Sequence, residues 1–135
     1  MIPSQQRALL ELEDRLLDDL PSVVALRVAF ARKLFDRLPL SEGDLAALGA
    51  DARGHRILLA MLAGAGVVTR AVDGEPWQTS SEFEALLSLR GESFRRRCDF
   101  VAMAAADLLA GGDALLFDLP AFMSRSGTFG FFRYD

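Results

Sequence analysis

At 135 residues the chain has the length of one ordinary domain, which folds by burying roughly two thirds of its unfolded surface and needs no disulfide or metal. Hydrophobic residues make up 51% of it, rich for a monomer that must present a polar surface, so self-association is expected. The net charge of −4 excludes a general attraction to nucleic-acid phosphates or anionic lipid, and the lone Cys98 excludes an internal disulfide and fits a reducing compartment.

The chain begins Met1-Ile2-Pro3-Ser4-Gln5, without the basic start and apolar stretch of a signal peptide. From Gln5 to Leu20, leucines at 9, 12, 16 and 20 recur at helical spacing, Leu10 and Leu17 widen the stripe, and Glu11, Asp14 and Asp18 lie opposite. Pro21 breaks this amphipathic helix. Ser22 to Leu38 forms a second helix, apolar around most of its girth through Val24, Leu26, Val28, Leu34, Phe35 and Leu38. Such a helix is buried or shared with another subunit. After Pro39, Ser41-Glu42-Gly43-Asp44 has the pattern of a capping box with Asp in the usual place of Glu or Gln, and it starts a short helix to Leu48 that Gly49 closes. Asp51 can cap the next helix, in which Ile57, Leu58, Met61 and Leu62 recur at core spacing until Gly64 and Gly66 stop it.

Val67 to Val72 favours a strand, Asp73-Gly74 a tight turn, and Glu75 to Thr79 a return strand that Pro76 confines to an edge. Helix, turn, helix and hairpin over residues 41–79 read as a winged helix. Ser80 or Ser81 caps a helix through Leu89, Gly91 separates it from a longer one running from Ser93 to about Ala110, and Gly111-Gly112 interrupts before an aromatic stretch from Leu115 to Asp135. The longest near-apolar run, Ile57 to Val68, holds two glycines and is well short of the roughly 20 residues needed to cross a bilayer. A mainly α, cytoplasmic protein without membrane partners is expected. Its helical domain covers residues 1–110, with interface helices over 1–38, the winged helix over 41–79 and further helices over 80–110. An aromatic connector covers 111–135.

Little in this pattern carries chemistry. A phosphate-binding glycine loop needs a strand before it and a helix after it. Gly64-Ala65-Gly66 has the reverse order and Gly111-Gly112 follows a helix, so neither is a nucleotide or S-adenosylmethionine loop. His55 is the only histidine, which leaves no histidine-based metal cluster or relay, and it is expected to face solvent. No catalytic, cofactor-binding or metal-binding residue is assigned. Arg90, Arg95, Arg96 and Arg97 are the only concentrated positive patch, but they fan around a helix within reach of Glu92 and Asp99, so a solvated, partly salt-bridged face is expected.

A DNA-reading winged helix needs basic groups on its second helix and wing. This one sets Arg53, Arg56 and Arg70 against Glu42, Asp44, Asp51, Asp73 and Glu75, a net charge of −2. DNA binding is therefore not expected, and a winged-helix transcription regulator is the alternative reading. The last 19 residues hold Phe117, Phe122, Phe129, Phe131 and Phe132, half of all the phenylalanines, with Met123 and Tyr134. Such a cluster packs onto a core or meets a partner.

The order of these elements resembles the N-terminal domain of bacterial small-molecule methyltransferases that use S-adenosylmethionine, the O-methyltransferase type with a winged-helix dimerisation domain. The resemblance is carried by Ala25-Leu26-Arg27 through Leu34-Phe35-Asp36-Arg37-Leu38, by Leu40-Ser41-Glu42-Gly43-Asp44-Leu45-Ala46, and by Arg56-Ile57-Leu58-Leu59-Ala60-Met61-Leu62 with Gly66-Val67-Val68. Trp77-Gln78-Thr79 and Ser81-Glu82-Phe83 stand where that family has its wing strand and following helix, and Phe122-Met123-Ser124-Arg125-Ser126 with Phe129 and Phe132-Arg133-Tyr134-Asp135 looks like its connector to a catalytic domain. The resemblance implies a homodimer interlocked through the N-terminal helices, with S-adenosylmethionine held by a separate C-terminal domain. It further implies that Phe122, Met123, Phe129, Phe132 and Tyr134 form one wall of a pocket for a small-molecule acceptor.

Overall fold

A computed structural model describes residues 3–126. The chain is mainly α, with one small antiparallel sheet. Its elements are α1 (Pro3–Leu17), α2 (Leu20–Ala31), α3 (Leu34–Arg37), α4 (Glu42–Ala46), a 3-10 turn (Gly49–Asp51), α5 (Ala52–Gly64), β1 (Val68–Thr69), β2 (Gln78–Thr79), α6 (Ser81–Phe117) and α7 (Leu119–Arg125). The central helix is α2, which lies against α1, α5 and α6. Val23, Leu26 and Ala29 of α2 are fully buried. At its far end Phe30 and Phe35 join Phe83 and Phe94 of α6 in a run of tilted and edge-on rings with centroids 5.0 to 6.4 Å apart.

The second helix does not run to Leu38 as its apolar pattern predicts. It stops at Ala31, Lys33 takes a left-handed conformation (φ 56°), and α3 starts in a new direction. The turn drives Leu34 fully into the core and sets Phe35 against Phe83.

Local signals explain the next elements. Ser41 Oγ accepts from the Asp44 N–H at 3.0 Å and the Ser41 N–H donates to Asp44 Oδ2 at 2.9 Å, a complete capping box for α4. That hydrogen bonding holds the Asp44 carboxyl below its usual range. Gly66, at φ +79°, ends α5: its N–H donates to the Ala63 carbonyl and the Val67 N–H to the Leu62 carbonyl. These are the paired bonds of a Schellman motif. Asp51 does not cap α5 with its side chain, because its own backbone is already helical (φ −85°, ψ −6°). The buried face of α5 is Ala52, His55, Leu58, Leu59 and Leu62, whereas Ile57 and Met61 are exposed. Positions 55, 58, 59 and 62 have ideal helical spacing, and a histidine at the first of them hides it.

The sheet is shorter than its sequence pattern. Val68 pairs with Thr79 and Thr69 with Gln78, and Val72 is exposed. Leu40 forms a bridge with Trp77 through reciprocal hydrogen bonds of 3.0 and 2.9 Å, so the segment before α4 extends the same ladder. Gly74 (φ +90°) lies in the turn closed by the Glu75 N–H on the Val72 carbonyl. Ser80 then caps α6, accepting from the Phe83 N–H and donating to the Gly66 carbonyl oxygen at 2.7 Å.

The longest element departs furthest from expectation. The helix bends at Arg90 (φ −137°, ψ 21°), one residue before Gly91, and runs through Gly111-Gly112 to Phe117. The boundary expected at 110/111 thus falls within a helix. Residues 100–117 have a mean hydropathy of 1.7, are long and apolar enough to cross a bilayer by length and composition, and include no buried residue. Among the described residues only α7 folds back on them, seating Phe122 (4% exposed) over Gly111 while Ser126 Oγ donates to Asp107 Oδ2 at 2.7 Å.

A Cβ on Gly111 would sit 2.8 Å from the Phe122 ring, whereas one on Gly112 would touch nothing within 4 Å. Gly112→Ala should therefore stabilise the helix by about 1 kcal/mol. Gly111→Ala should displace Phe122 and release α7 without that gain. Limited proteolysis between Asp118 and Arg125 checks this, with faster cleavage expected in Gly111→Ala alone.

Candidate functional site

Three places gather polar or reactive groups among the described residues: a buried carboxylate between α1 and α6, a buried histidine on α5, and a hollow between α6 and α7. The first is the most unusual. Glu13 lies in the leucine stripe of α1, between Leu9 and Leu16, and its side chain is 0% exposed. A buried carboxylate is costly unless paired and hydrogen-bonded. Here Arg90 Nε donates to both Glu13 oxygens at 3.2 and 3.3 Å, and Arg97 Nη1 donates to Oε2 at 2.7 Å. Arg97 also reaches Asp14 at 3.5 Å.

The rest of the arginine cluster is likewise engaged. Arg96 pairs with Glu92 at 2.7 Å on the helix surface, and Arg95 lies 4.8 Å over the Phe30 ring. Asp99 pairs with Arg27 of α2 rather than with the cluster. The salt-bridged face expected from sequence is present, but its centre is the interior residue Glu13. The open groove beside it, about 980 Å³ and lined by Arg90, Arg96, Arg97 and Phe100, carries no unpaired cluster of charge.

His55 is buried (4% exposed), contrary to the expectation of a solvent-facing ring. Its Nδ1 lies 2.8 Å from the Asp51 carbonyl oxygen and its Nε2 lies 3.2 Å from Arg37 Nη1. Arginine only donates, so Nε2 accepts and Nδ1–H donates to the carbonyl. Nε2 thus joins α5 to α3 while Nδ1–H ties the ring to the turn before its own helix, which is why a polar residue occupies a core position. No group of three or more His, Cys, Asp or Glu side chains among the described residues could hold a metal ion.

The hollow between α6 and α7 has a volume of about 350 Å³ and is lined by Asp107, Gly111, Asp113, Phe122, Arg125 and Ser126 among others. Phe122 is the member of the expected acceptor wall that borders it. Met123 is half-buried and lies outside the lining, and Phe129, Phe132 and Tyr134 lie outside the described residues.

Several charges of residues 41–79 are paired. Arg70 lies 3.4 Å from Glu42 and 3.5 Å from Asp73, with its guanidinium 4.3 Å over Trp77, and Arg56 lies 3.6 Å from Glu42. Asp51 is 3.9 Å from Arg32. Comparison with family models, characterised proteins and solved structures finds no match to this chain.

Two features were not reached from the sequence. Glu13 was detectable as a carboxylate at the i+4 position from Leu9 and i−3 from Leu16. The exposed apolar run 100–117 was hidden by Gly111-Gly112 and by its two aspartates.

Cys98 is fully buried, and its thiol is pushed up from 9.0 to about 12 by burial first and by the nearby Asp99 and Glu13 second. A raised value means the folded state favours the protonated thiol. That contribution is complete below the ordinary thiol value and is lost as pH rises towards the folded one, at about 1.4 kcal/mol per pH unit. Urea unfolding of the wild type and Cys98→Ala between pH 8 and 10.5 should show the wild type losing stability faster. A difference independent of pH would contradict the buried thiol.

Proposed function

We propose that this chain is a winged-helix dimerisation domain that forms the acceptor-substrate side of a small-molecule, S-adenosylmethionine-dependent methyltransferase of the cytoplasm. Cofactor binding and methyl transfer would belong to a separate domain, and these residues alone would be catalytically inactive. The observation that carries the reading is the apolar surface on both flanks of the helix-turn-helix region. Leu10, Val24 and Val28 on α1 and α2 are 42%, 50% and 40% exposed, and Leu109, Leu116 and Phe117 on α6 are 78%, 76% and 82% exposed. Exposed apolar area on this scale marks an interaction surface.

The winged-helix assignment is supported by the order of α4, α5, β1 and β2 and by the Leu40–Trp77 bridge, which adds a third short segment to the ladder. A scaffold role is favoured over DNA reading because Arg56 and Arg70 face carboxylates of the same region, which leaves little charge for phosphates. A second subunit is favoured over a bilayer as cover for residues 100–117. Asp107 and Asp113 lie within that run, where each would cost about 3 kcal/mol at the centre of the hydrocarbon.

The dimer is the direct test. Light scattering at micromolar concentration should give about two chain masses, and Val24→Glu with Val28→Glu should give one, with unchanged circular dichroism because both positions are exposed in the single chain. A single chain mass for the wild type would overturn the reading. Calorimetry with S-adenosylmethionine should show no binding to these residues alone, and stoichiometric binding would contradict the division of labour. Retardation of duplex DNA that weakens steeply with salt would favour a transcription regulator instead.

A further inference from the structure

The geometry points to Glu13 as a positioning residue that sets the bend of α6 and, through it, the direction in which the α6–α7 hairpin leaves the body. This inference does not depend on the methyltransferase reading.

Sharp bends in helices have identifiable causes: proline, glycine or serine pairs, or a side chain drawn out of the regular ladder. There is no proline in α6, and Gly91, beside the bend and with open space around it, loosens the helix there without dictating its direction. What is particular to the bend is the engagement of Arg90. Its backbone leaves helical geometry, and its Nε lies on both oxygens of Glu13. Arg97, two turns further on, donates to the same carboxylate. Positions seven apart in a straight helix share a face but are separated by about 10 Å along the axis. A single carboxylate of α1 therefore grips the chain on both sides of the bend and draws both sides towards α1.

The segment beyond the bend is also held by the fully buried Phe94 and Cys98 and by the Arg27–Asp99 pair with α2. Val101 and Ala102 pack at the edge of the core, and beyond them no residue of α6 is buried. The hairpin thus projects from a segment that these core contacts seat and that the Glu13 grip turns at Arg90. Leu109 stands about 28 Å along the helix axis from Arg90, so a change of about 20° at the bend would move it by roughly 10 Å.

The grip is separable from stability. Arg90 and Arg97 side chains are 32% and 45% exposed, so both can turn to water if Glu13 is removed, and a leucine at position 13 would continue the apolar stripe of α1. Replacing a buried ion pair with an apolar side chain is often neutral or stabilising.

The test is a distance measured by double electron–electron resonance between spin labels at Ala60→Cys and Leu109→Cys. Labelled chain is diluted with excess unlabelled chain so that only distances within one chain are read. The Glu13 background should give a narrow distribution. Glu13→Leu should shift or broaden it by several ångström with an unfolding midpoint equal to or above that background, and Glu13→Gln should do so in the same direction. Glu92→Gln, which removes the surface pair with Arg96 on the same helix, should leave it unchanged. If Glu13→Leu did not fold, Arg97→Ala would read the same distance with only a half-exposed side chain removed. An unchanged distribution in a folded Glu13 or Arg97 variant, or an equal shift in Glu92→Gln, would overturn the proposal.

Discussion

The structure turns on a carboxylate that an amphipathic pattern has no place for. Glu13 sits within a stripe of leucines and is fully buried, and two arginines of α6 compensate its charge. Such an arrangement is a poor source of stability, because desolvation offsets most of the attraction. It is a strong source of geometry. The charge tolerates only positions in which Arg90 and Arg97 reach it, so α1 and α6 have one mutual register. Through α6, the same constraint reaches the aromatic core at Phe83 and Phe94 on one side and the exposed hairpin on the other.

Local chain-terminating signals were readable from sequence where they were self-contained. The Ser41–Asp44 box, the left-handed Gly66 and the Ser80 cap each depend on a few neighbouring residues, and each forms as its pattern implies. Signals that depend on partners distant in sequence were not readable. His55 and Glu13 are polar residues that pattern alone assigns to the surface, yet each is buried because a remote arginine satisfies it. Gly111-Gly112 has the pattern of a break, but glycine costs a helix only about 1 kcal/mol per residue, and Gly111 gives Phe122 the room to pack. The apolar pattern of residues 22–38 could not reveal the turn at Lys33, since a helix that is apolar on all sides has no periodicity to show where it ends.

The candidate site divides in the same way. The balance of charge over residues 41–79 is visible in their composition, and the ion pairs of Arg56 and Arg70 give it a physical form. The acceptor wall inferred from the aromatic cluster has one described member at a cavity, Phe122, and that ring is mainly occupied with packing on Gly111. The larger exposed feature is the unburied run at 100–117. It lies on the far side of the bend, so the residue that fixes the bend also fixes where this surface is offered.

The apolar flanks are proposed to be covered by a second copy of the chain. Amide hydrogen exchange measured from well below to well above micromolar concentration tests it segment by segment. Exchange in α2 and in residues 100–117 should slow as concentration rises, while α4 and α5 stay unchanged. Rates in residues 100–117 that did not depend on concentration would contradict the account.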